Sequence, residues 1–332
     1  MATLYEHIEE NKRRTVLLVL AFPVVFAVFT WVVFAVFFWI TGHMTDPNAS
    51  QTVYQTATST DWTSQLRSTL LILVPLCWLV AMVWMGISFF FGDKWLMSGA
   101  GATKVTEQEQ PEIYHLVENL CISRGLPVPR IFIMDDNSLN AFATGRDPKH
   151  ASVALTKGII QRLERVELEG VIAHELSHVE NRDIRLMLIT VAGISFFTFV
   201  GEIILRSSLR SRSGNRNGGT NLVLLVLGLI FLVYGYVMAP LLRLAVSRTR
   251  EYQADATAAL MTRHPKALAS ALRKISSDSH VEALDAHPSM AAMCIANPLS
   301  KMQAFSWVSG LLATHPPIEK RIAALMEMDR GY

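Results

Sequence analysis

His174-Glu175-Leu176-Ser177-His178 reads H-E-x-x-H. On a helix, residues four apart stand on one face, so two neutral imidazoles there can grip one zinc ion from one side. Glu175, next to the first histidine, can reach a water in the open coordination position and act as its general base. The chemistry of such a set is metal-assisted hydrolysis. The plainer alternative is a surface helix with two ordinary histidines.

Catalytic zinc takes three protein ligands and keeps a fourth position open. The extended metzincin pattern requires a glycine at 181 and a histidine at 184. Asn181 and Ile184 stand there instead, which excludes that class and sends the search for the third ligand elsewhere. Glu251-Tyr252-Gln253-Ala254-Asp255 is the candidate stretch, a carboxylate pair at i, i+4. Glu251 can bind the metal, and Asp255, one turn on, can accept the outer N–H of a ligand histidine and fix its tautomer. Spacing alone equally allows a solvated helix face with Arg248 and Arg250 as salt-bridge partners. His315 precedes Pro316-Pro317, and Arg321 follows one and a half turns on. Either could donate to a developing oxyanion, or be a helix-start histidine and a surface arginine. His7, His43, His115, His150, His264, His280 and His287 read as surface or loop residues.

These residues need elements to hold them. The run Leu163 to Ile184 reads as one helix, with Val166, Leu168, Val171, Ile172, Leu176 and Val179 as its apolar part. Pro111 to Arg124 reads as an amphipathic helix that Gly125 ends. Ile131 to Met134 reads as a short buried strand, and Asn140 to Gly145 and Ala151 to Leu155 as two more. Helix, strands, helix is an α+β arrangement.

Hydrophobic residues make up 51% of the 332-residue chain and charged residues 17%. Soluble domains average about 25% charged, so the composition points to a lipid bilayer. A net charge of +2 argues against a nucleic-acid partner. Cys77, Cys121 and Cys294 form neither a metal-type pair nor a disulfide framework. Val16 to Ile40 and Ser68 to Gly92 are charge-free runs of 25 residues each, long enough to span. Pro23 could kink the first, and Trp31 and Trp39 could anchor it at the interface. Lys12, Arg13 and Arg14 precede the first run, and Arg67 is the one basic residue of either type between the two. The positive-inside rule therefore puts the N-terminus, and the chain after Asp93, in the cytoplasm. Leu186 to Gly201 is a charge-free run of just 16 residues, and Leu222 to Leu242 one of 21. Between them lies a loop rich in Arg, Ser, Gly and Asn, and Glu202 and Arg206 could pair at i, i+4. The chain therefore divides into a membrane region with two transmembrane helices (1–92), the first part of a catalytic domain with H-E-x-x-H (93–185), a transmembrane or re-entrant hairpin (186–242), and the second part of the catalytic domain with the third ligand (243–332). The expected whole is mostly helical, with four hydrophobic helices and a zincin-like cytoplasmic domain carrying a small β-sheet.

The motifs His174-Glu-Leu-Ser-His178, Asn140-Ala-Phe-Ala-Thr-Gly145, Glu251-Tyr-Gln-Ala-Asp255 and Thr314-His-Pro-Pro317 fall in the order seen in the HtpX membrane zinc peptidases. The resemblance runs from about residue 93 onward. It is a resemblance to bacterial relatives of the eukaryotic CAAX prenyl peptidase. It implies one zinc ion held by His174, His178 and Glu251, and an edge strand whose residues Asn140, Ala141, Phe142, Ala143, Thr144 and Gly145 pair with substrate backbone. It implies polypeptide substrates, damaged or misassembled membrane proteins, cleaved on the cytoplasmic side of the bacterial inner membrane. The stretch 278–313, with Met290, Met293, Met302 and Trp307, fits the family pattern less clearly and could cover or gate the site. Two rival readings remain. One is a non-catalytic membrane scaffold with a structural metal, which would have four protein ligands and no adjacent base. The other is a specific prenyl-peptide peptidase, which would need a large chamber among more spans than these.

Overall fold

A computed structural model describes residues 62–211, 225–232, 248–281, 293–295 and 316–330, with helical residues scattered between 13 and 32. His315, Pro23, Trp39, His287, Met290, Met302, Trp307 and residues 212–221 of the arginine-rich loop lie outside the described residues.

Four short segments build one mixed sheet: β1 (Ala102–Lys104), β2 (Arg130–Met134), β3 (Ala141–Gly145) and β4 (Ala151–Thr156). Their order is β1-β2-β4-β3, with β2 and β4 parallel and the outer pairs antiparallel. β3 is thus an edge strand. β1 has three residues, too few to show a period in the sequence. Gly145 ends β3 at φ 143°, and a Cβ there would meet the His150 carbonyl oxygen at 2.5 Å, so the turn into β4 requires glycine.

The named helices are α1 (Trp62–Gly99), α2 (Pro111–Arg124), α3 (Lys157–Arg162), α4 (Arg165–Glu180), α5 (Asp183–Ser211), α6 (Arg248–Thr262), α7 (Pro265–Ser277) and α8 (Ile318–Arg330), and residues 225–232 are helical as well. The chain is mostly helical, with this one small sheet. α4 starts on a cap in which the Glu164 N–H donates to Glu167 Oε2 at 2.9 Å. Glu167 in turn accepts from Ser270 Oγ and Lys274 Nζ, each at 2.6 Å, which ties the start of α4 to α7. α2, α4, α6, α7 and α8 share one core with the sheet, built around Val117, Val153, Ile172, Leu176, Ala258, Leu272 and Leu325.

Two expectations need correction. Leu163 to Ile184 is not one helix. α4 ends at Glu180, Arg182 takes φ 61°, and a separate helix, α5, starts at Asp183. The membrane segment that follows is also not limited by its 16 charge-free residues. α5 continues through Glu202 and Arg206, which pair at 3.0 Å, and runs for 29 residues. An i, i+4 ion pair satisfies both charges along the helix surface, so the helix need not stop where charge begins. Residues 78–99 of α1 and 183–209 of α5 are long and apolar enough to cross a membrane.

A separate aromatic cluster joins Phe22 and Phe26 to Ala81 and Met85 of α1, Phe196 and Phe197 of α5, and Phe231. Phe26 meets Phe196 edge-to-face with centroids 4.8 Å apart. α5 and residues 225–232 approach closely at two glycines: a Cβ on Gly201 would meet Leu232 at 3.0 Å, and one on Gly228 would meet Leu205 at 2.7 Å. Small residues at such a crossing are the usual means of packing helices in lipid.

Candidate metal centre

α4 and α6 pack along one another and bring the three candidate ligands together. The rings of His174 and His178 are nearly perpendicular, centroids 4.8 Å apart. His174 Nε2 lies 3.8 Å from Glu251 Oε2, and His178 Nε2 lies 3.8 Å from Glu251 Oε1. One possible ligand atom from each of the three falls within 4.8 Å of the others. Two ligand atoms each about 2.1 Å from a tetrahedral zinc stand about 3.4 Å apart, so the set is close to ligand spacing. Two imidazole nitrogens and one carboxylate make a donor set typical of catalytic zinc. All three side chains are buried, where a cation offsets the cost of desolvating a carboxylate. The residues fit the ion.

The outward-facing nitrogens are held by carboxylates. His174 Nδ1 is 3.0 Å from Asp255 Oδ1, and His178 Nδ1 is 2.9 Å from Asp183 Oδ2. Each contact leaves Nε2 pointing at Glu251 and fixes which nitrogen carries the proton. Asp183 was not singled out. Its signal was a carboxylate five residues after the second histidine, and it lay hidden inside what read as a continuous helix. Arg250, which the alternative of a solvated helix face makes a surface salt-bridge partner, is buried and stands 3.7 Å from Asp183.

Arg321 is fully buried. Its Nε and Nη2 donate to Asp255 at 2.8 and 2.7 Å, Nη1 donates to the Ile295 carbonyl at 3.2 Å, and Nη1 is 3.4 Å from Glu251 Oε2. This guanidinium therefore backs the carboxylates behind the metal site.

The charges are strongly coupled. Burial, the main influence, lifts the Glu175 carboxyl to about 7, and the Glu251 charge adds to it, while His178, Arg321 and the Ala143 N–H pull the other way. Burial pulls His178 down, but the hydrogen bond to Asp183 and the Glu251 charge outweigh it and take it up to about 9. Burial, helped by Arg321, holds His174 below its ordinary value even though Asp255 opposes this. Asp255 is raised by burial but held below the usual carboxylate range by Arg321 and His174. In the metal-free site the imidazole proton on His178 occupies the place of a cation and would leave when a metal binds.

β3 borders this site. The Ala143 N–H bonds Glu175, and the Ala141 carbonyl accepts from Ile295 N–H at 3.0 Å, so the main-chain groups of alternate residues face away from β4. Asn140 does not face an open groove. Its Nδ2 donates to the Ser279 carbonyl at 2.8 Å and its Oδ1 accepts from the Ala141 N–H at 3.0 Å. Phe142 and Thr144 are buried.

The sequence profile of peptidase family M48 matches residues 107–329. The chain belongs to peptidase family M48. It is 41% identical over 321 residues to a protease HtpX homolog of Bacteroides fragilis (strain YCH46), covering 95% of each. A protease HtpX homolog of Ligilactobacillus salivarius (strain UCC118) is 45% identical over 238 residues, 70% of this chain and 78% of the relative. One from Thermoanaerobacter pseudethanolicus is 34% identical over 331 residues, 98% of each. The HtpX resemblance read from the four motifs is thereby shown, and the chain is a metallopeptidase. A crystal structure of S. mikatae Ste24p overlays with a TM-score of 0.42 at 20% identity, covering 87% of this chain and 67% of that one. His174, Glu175, His178, Asp183, Glu251, Asp255 and Arg321 all fall inside the M48 match.

Proposed function

We propose that this M48 metallopeptidase is a membrane-embedded zinc endopeptidase that cleaves damaged or misassembled membrane proteins on the cytoplasmic side of the bacterial inner membrane. The observation that carries the reading is the convergence of His174, His178 and Glu251 beside Glu175, with His178 five positions before the start of a helix of membrane length. His174, His178 and Glu251 hold one zinc ion. When bound, zinc would polarise the scissile carbonyl and acidify the attacking water. Glu175 accepts the proton of the attacking water and returns it to the leaving amine, the task of a buried carboxylate beside the first ligand. Asp255 and Asp183 orient His174 and His178, and Arg321 holds Asp255 in place. We retain His315 as a donor to the developing oxyanion. β3 binds substrate through its main chain, which is blind to side-chain identity and suits a quality-control enzyme.

The four-part division at 92, 185 and 242 and four full crossings belong to the same reading. A helix of 29 residues is about 43 Å long, beyond the roughly 30 Å hydrocarbon core, which supports a crossing by α5. The close glycine contacts with residues 225–232 support a paired return. The two ligand-bearing helices then share one side of the membrane. A structural metal in a non-catalytic scaffold is disfavoured by Glu175, a buried base beside the first ligand.

Two experiments test this. One unfolded membrane protein is incubated with the purified enzyme in detergent, with and without chelator. Cleavage that chelator stops and zinc restores is expected; chelator-insensitive cleavage or none would reject it. For topology, a single cysteine at Ser213 in a cysteine-free background is probed in intact cells with a membrane-impermeant thiol reagent. Labelling is expected; labelling only after lysis would replace the two crossings with a non-crossing hairpin.

A further inference from the structure

The outer edge of β3 is already taken. Ile295 N–H donates to the Ala141 carbonyl at 3.0 Å, and Phe142 and Cys294 form an antiparallel bridge. The Ile295 carbonyl accepts from Arg321 Nη1 at 3.2 Å. Met293, Cys294 and Ile295 are all buried, and Cys294 lies near enough to Glu175 for that carboxylate to disfavour its thiolate, in addition to the larger effect of burial. A short piece of this chain, which leaves a 3-10 turn at Met293 and bends at Ile295, thus meets the edge strand at a single antiparallel bridge, past the general base and against a buried guanidinium. A peptide added to β3 would need the same main-chain groups and the same space.

We propose that Met293–Ile295 is an internal pseudosubstrate segment, which covers the edge of β3 beside Glu175 and must leave it before a polypeptide is cleaved. The inference rests on reading β3 as the substrate strand. It also names the class of peptide that fits. Met293 and Cys294 pack with Met134, Phe142, Ala154 and Met187, while Ile295 enters the main core. The space they vacate is lined by apolar side chains and accepts an extended apolar segment, such as an unfolded membrane span. The exchange replaces main-chain bonds with main-chain bonds and buried apolar side chains with buried apolar side chains, so a peptide competes only if its own side chains are apolar.

The hydrogen bond joins residues 141 and 295, which flank the bridge, so Phe142 and Cys294 are a non-hydrogen-bonded antiparallel pair. Their Cα atoms then lie about 4.5 Å apart, within disulfide reach. Phe142→Cys, with Cys77 and Cys121 replaced by alanine, sets a thiol opposite Cys294. Oxidised glutathione should give an intramolecular 142–294 cross-link by mass spectrometry. Hydrolysis of a fluorogenic apolar peptide should fall by about tenfold or more and return on reduction. Absence of the cross-link, or equal hydrolysis by oxidised and reduced forms, overturns the proposal.

Because Phe142 is itself buried, a second measurement leaves it in place. In a Glu175→Gln protein with Cys294 as its sole cysteine, alkylation of Cys294 is followed with and without saturating peptide, whose binding is read by fluorescence anisotropy. Labelling should speed up by about tenfold or more as the segment is displaced. An unchanged rate with peptide bound overturns the proposal. Peptide that binds and speeds labelling, but is not cut by the wild-type enzyme, would reject the endopeptidase reading and leave the displaced segment standing.

Discussion

Arg321 grips Asp255 with two nitrogens, Nε to Oδ2 at 2.8 Å and Nη2 to Oδ1 at 2.7 Å, and Asp255 meets His174 Nδ1 at 3.0 Å on its other side. A bidentate guanidinium pair is geometrically selective in a way an ammonium cannot match. The first histidine ligand is therefore positioned by a helix far along the chain. Removing one partner of such a buried pair leaves an uncompensated charge. Arg321→Met should cost about 3–5 kcal/mol in the metal-free protein and less with zinc bound, since the ion then supplies positive charge beside Glu251. Arg321→Lys should fall between. Denaturant unfolding in detergent, with chelator and with zinc, checks both, and a loss under about 1 kcal/mol would show that the pair is not structural.

Asp183 does for His178 what Asp255 does for His174. Asp183→Ala should weaken zinc binding by about 10- to 100-fold, and Asp255→Ala by a similar factor. Competition against a chromogenic chelator measures each. Unchanged affinity in Asp183→Ala would mean that the 2.9 Å contact with His178 does not organise the metal site.

Glu175→Gln keeps shape and polarity but cannot take a proton at neutral pH. Zinc should be retained and peptide hydrolysis nearly abolished. Metal content by atomic absorption, set beside turnover, separates the two effects. Near-normal turnover would remove Glu175 from the reaction.

The same residue sets a pH dependence in the metal-free protein. Its carboxyl lies at about 7 folded against an ordinary 4.5, chiefly through burial. Between those values the folded state keeps a proton that the unfolded state has released. The stability this contributes is fully present below the unfolded value and is lost as pH rises through about 7. Relative to Glu175→Gln, which cannot titrate, the wild type should lose roughly 3 kcal/mol across that window. Denaturant curves in chelator from acid to neutral pH test this, and a constant difference between the two proteins would contradict it.

Much of the site was legible because its chemistry follows fixed spacing. His174, Glu175 and His178 are a local pattern, and Glu251 and Asp255 repeat the same i, i+4 logic on α6. The three longer strands were legible because apolar runs bounded by turn residues mark a buried strand. The misses have physical causes. The break at Asn181 and Arg182 leaves no mark in hydropathy, because neither Gly nor Pro makes it; Arg182 takes φ 61° by itself. That concealed Asp183. The length of α5 was underestimated because charge was read as an end, whereas Glu202 and Arg206 neutralise each other on its surface. Arg321 reads in sequence either as an oxyanion donor or as a surface arginine, and neither reading points to a carboxylate partner. Only the tertiary arrangement shows two buried carboxylates waiting for it. The seating of residues 293–295 on β3 depends on contacts across some 150 positions, which no local pattern encodes.

The H-E-x-x-H helix is unfinished by itself. Glu251 comes 73 positions after His178, and Arg321 comes 147 positions after His174. Long-range closures of this kind are made late, after the intervening chain has folded. A chain still on the ribosome, or one cut short before residue 251, carries two imidazoles and a base but cannot complete the cage. With the candidate centre scattered over distant stretches, the set of His174, His178 and Glu251 is complete only in a chain that extends past residue 251.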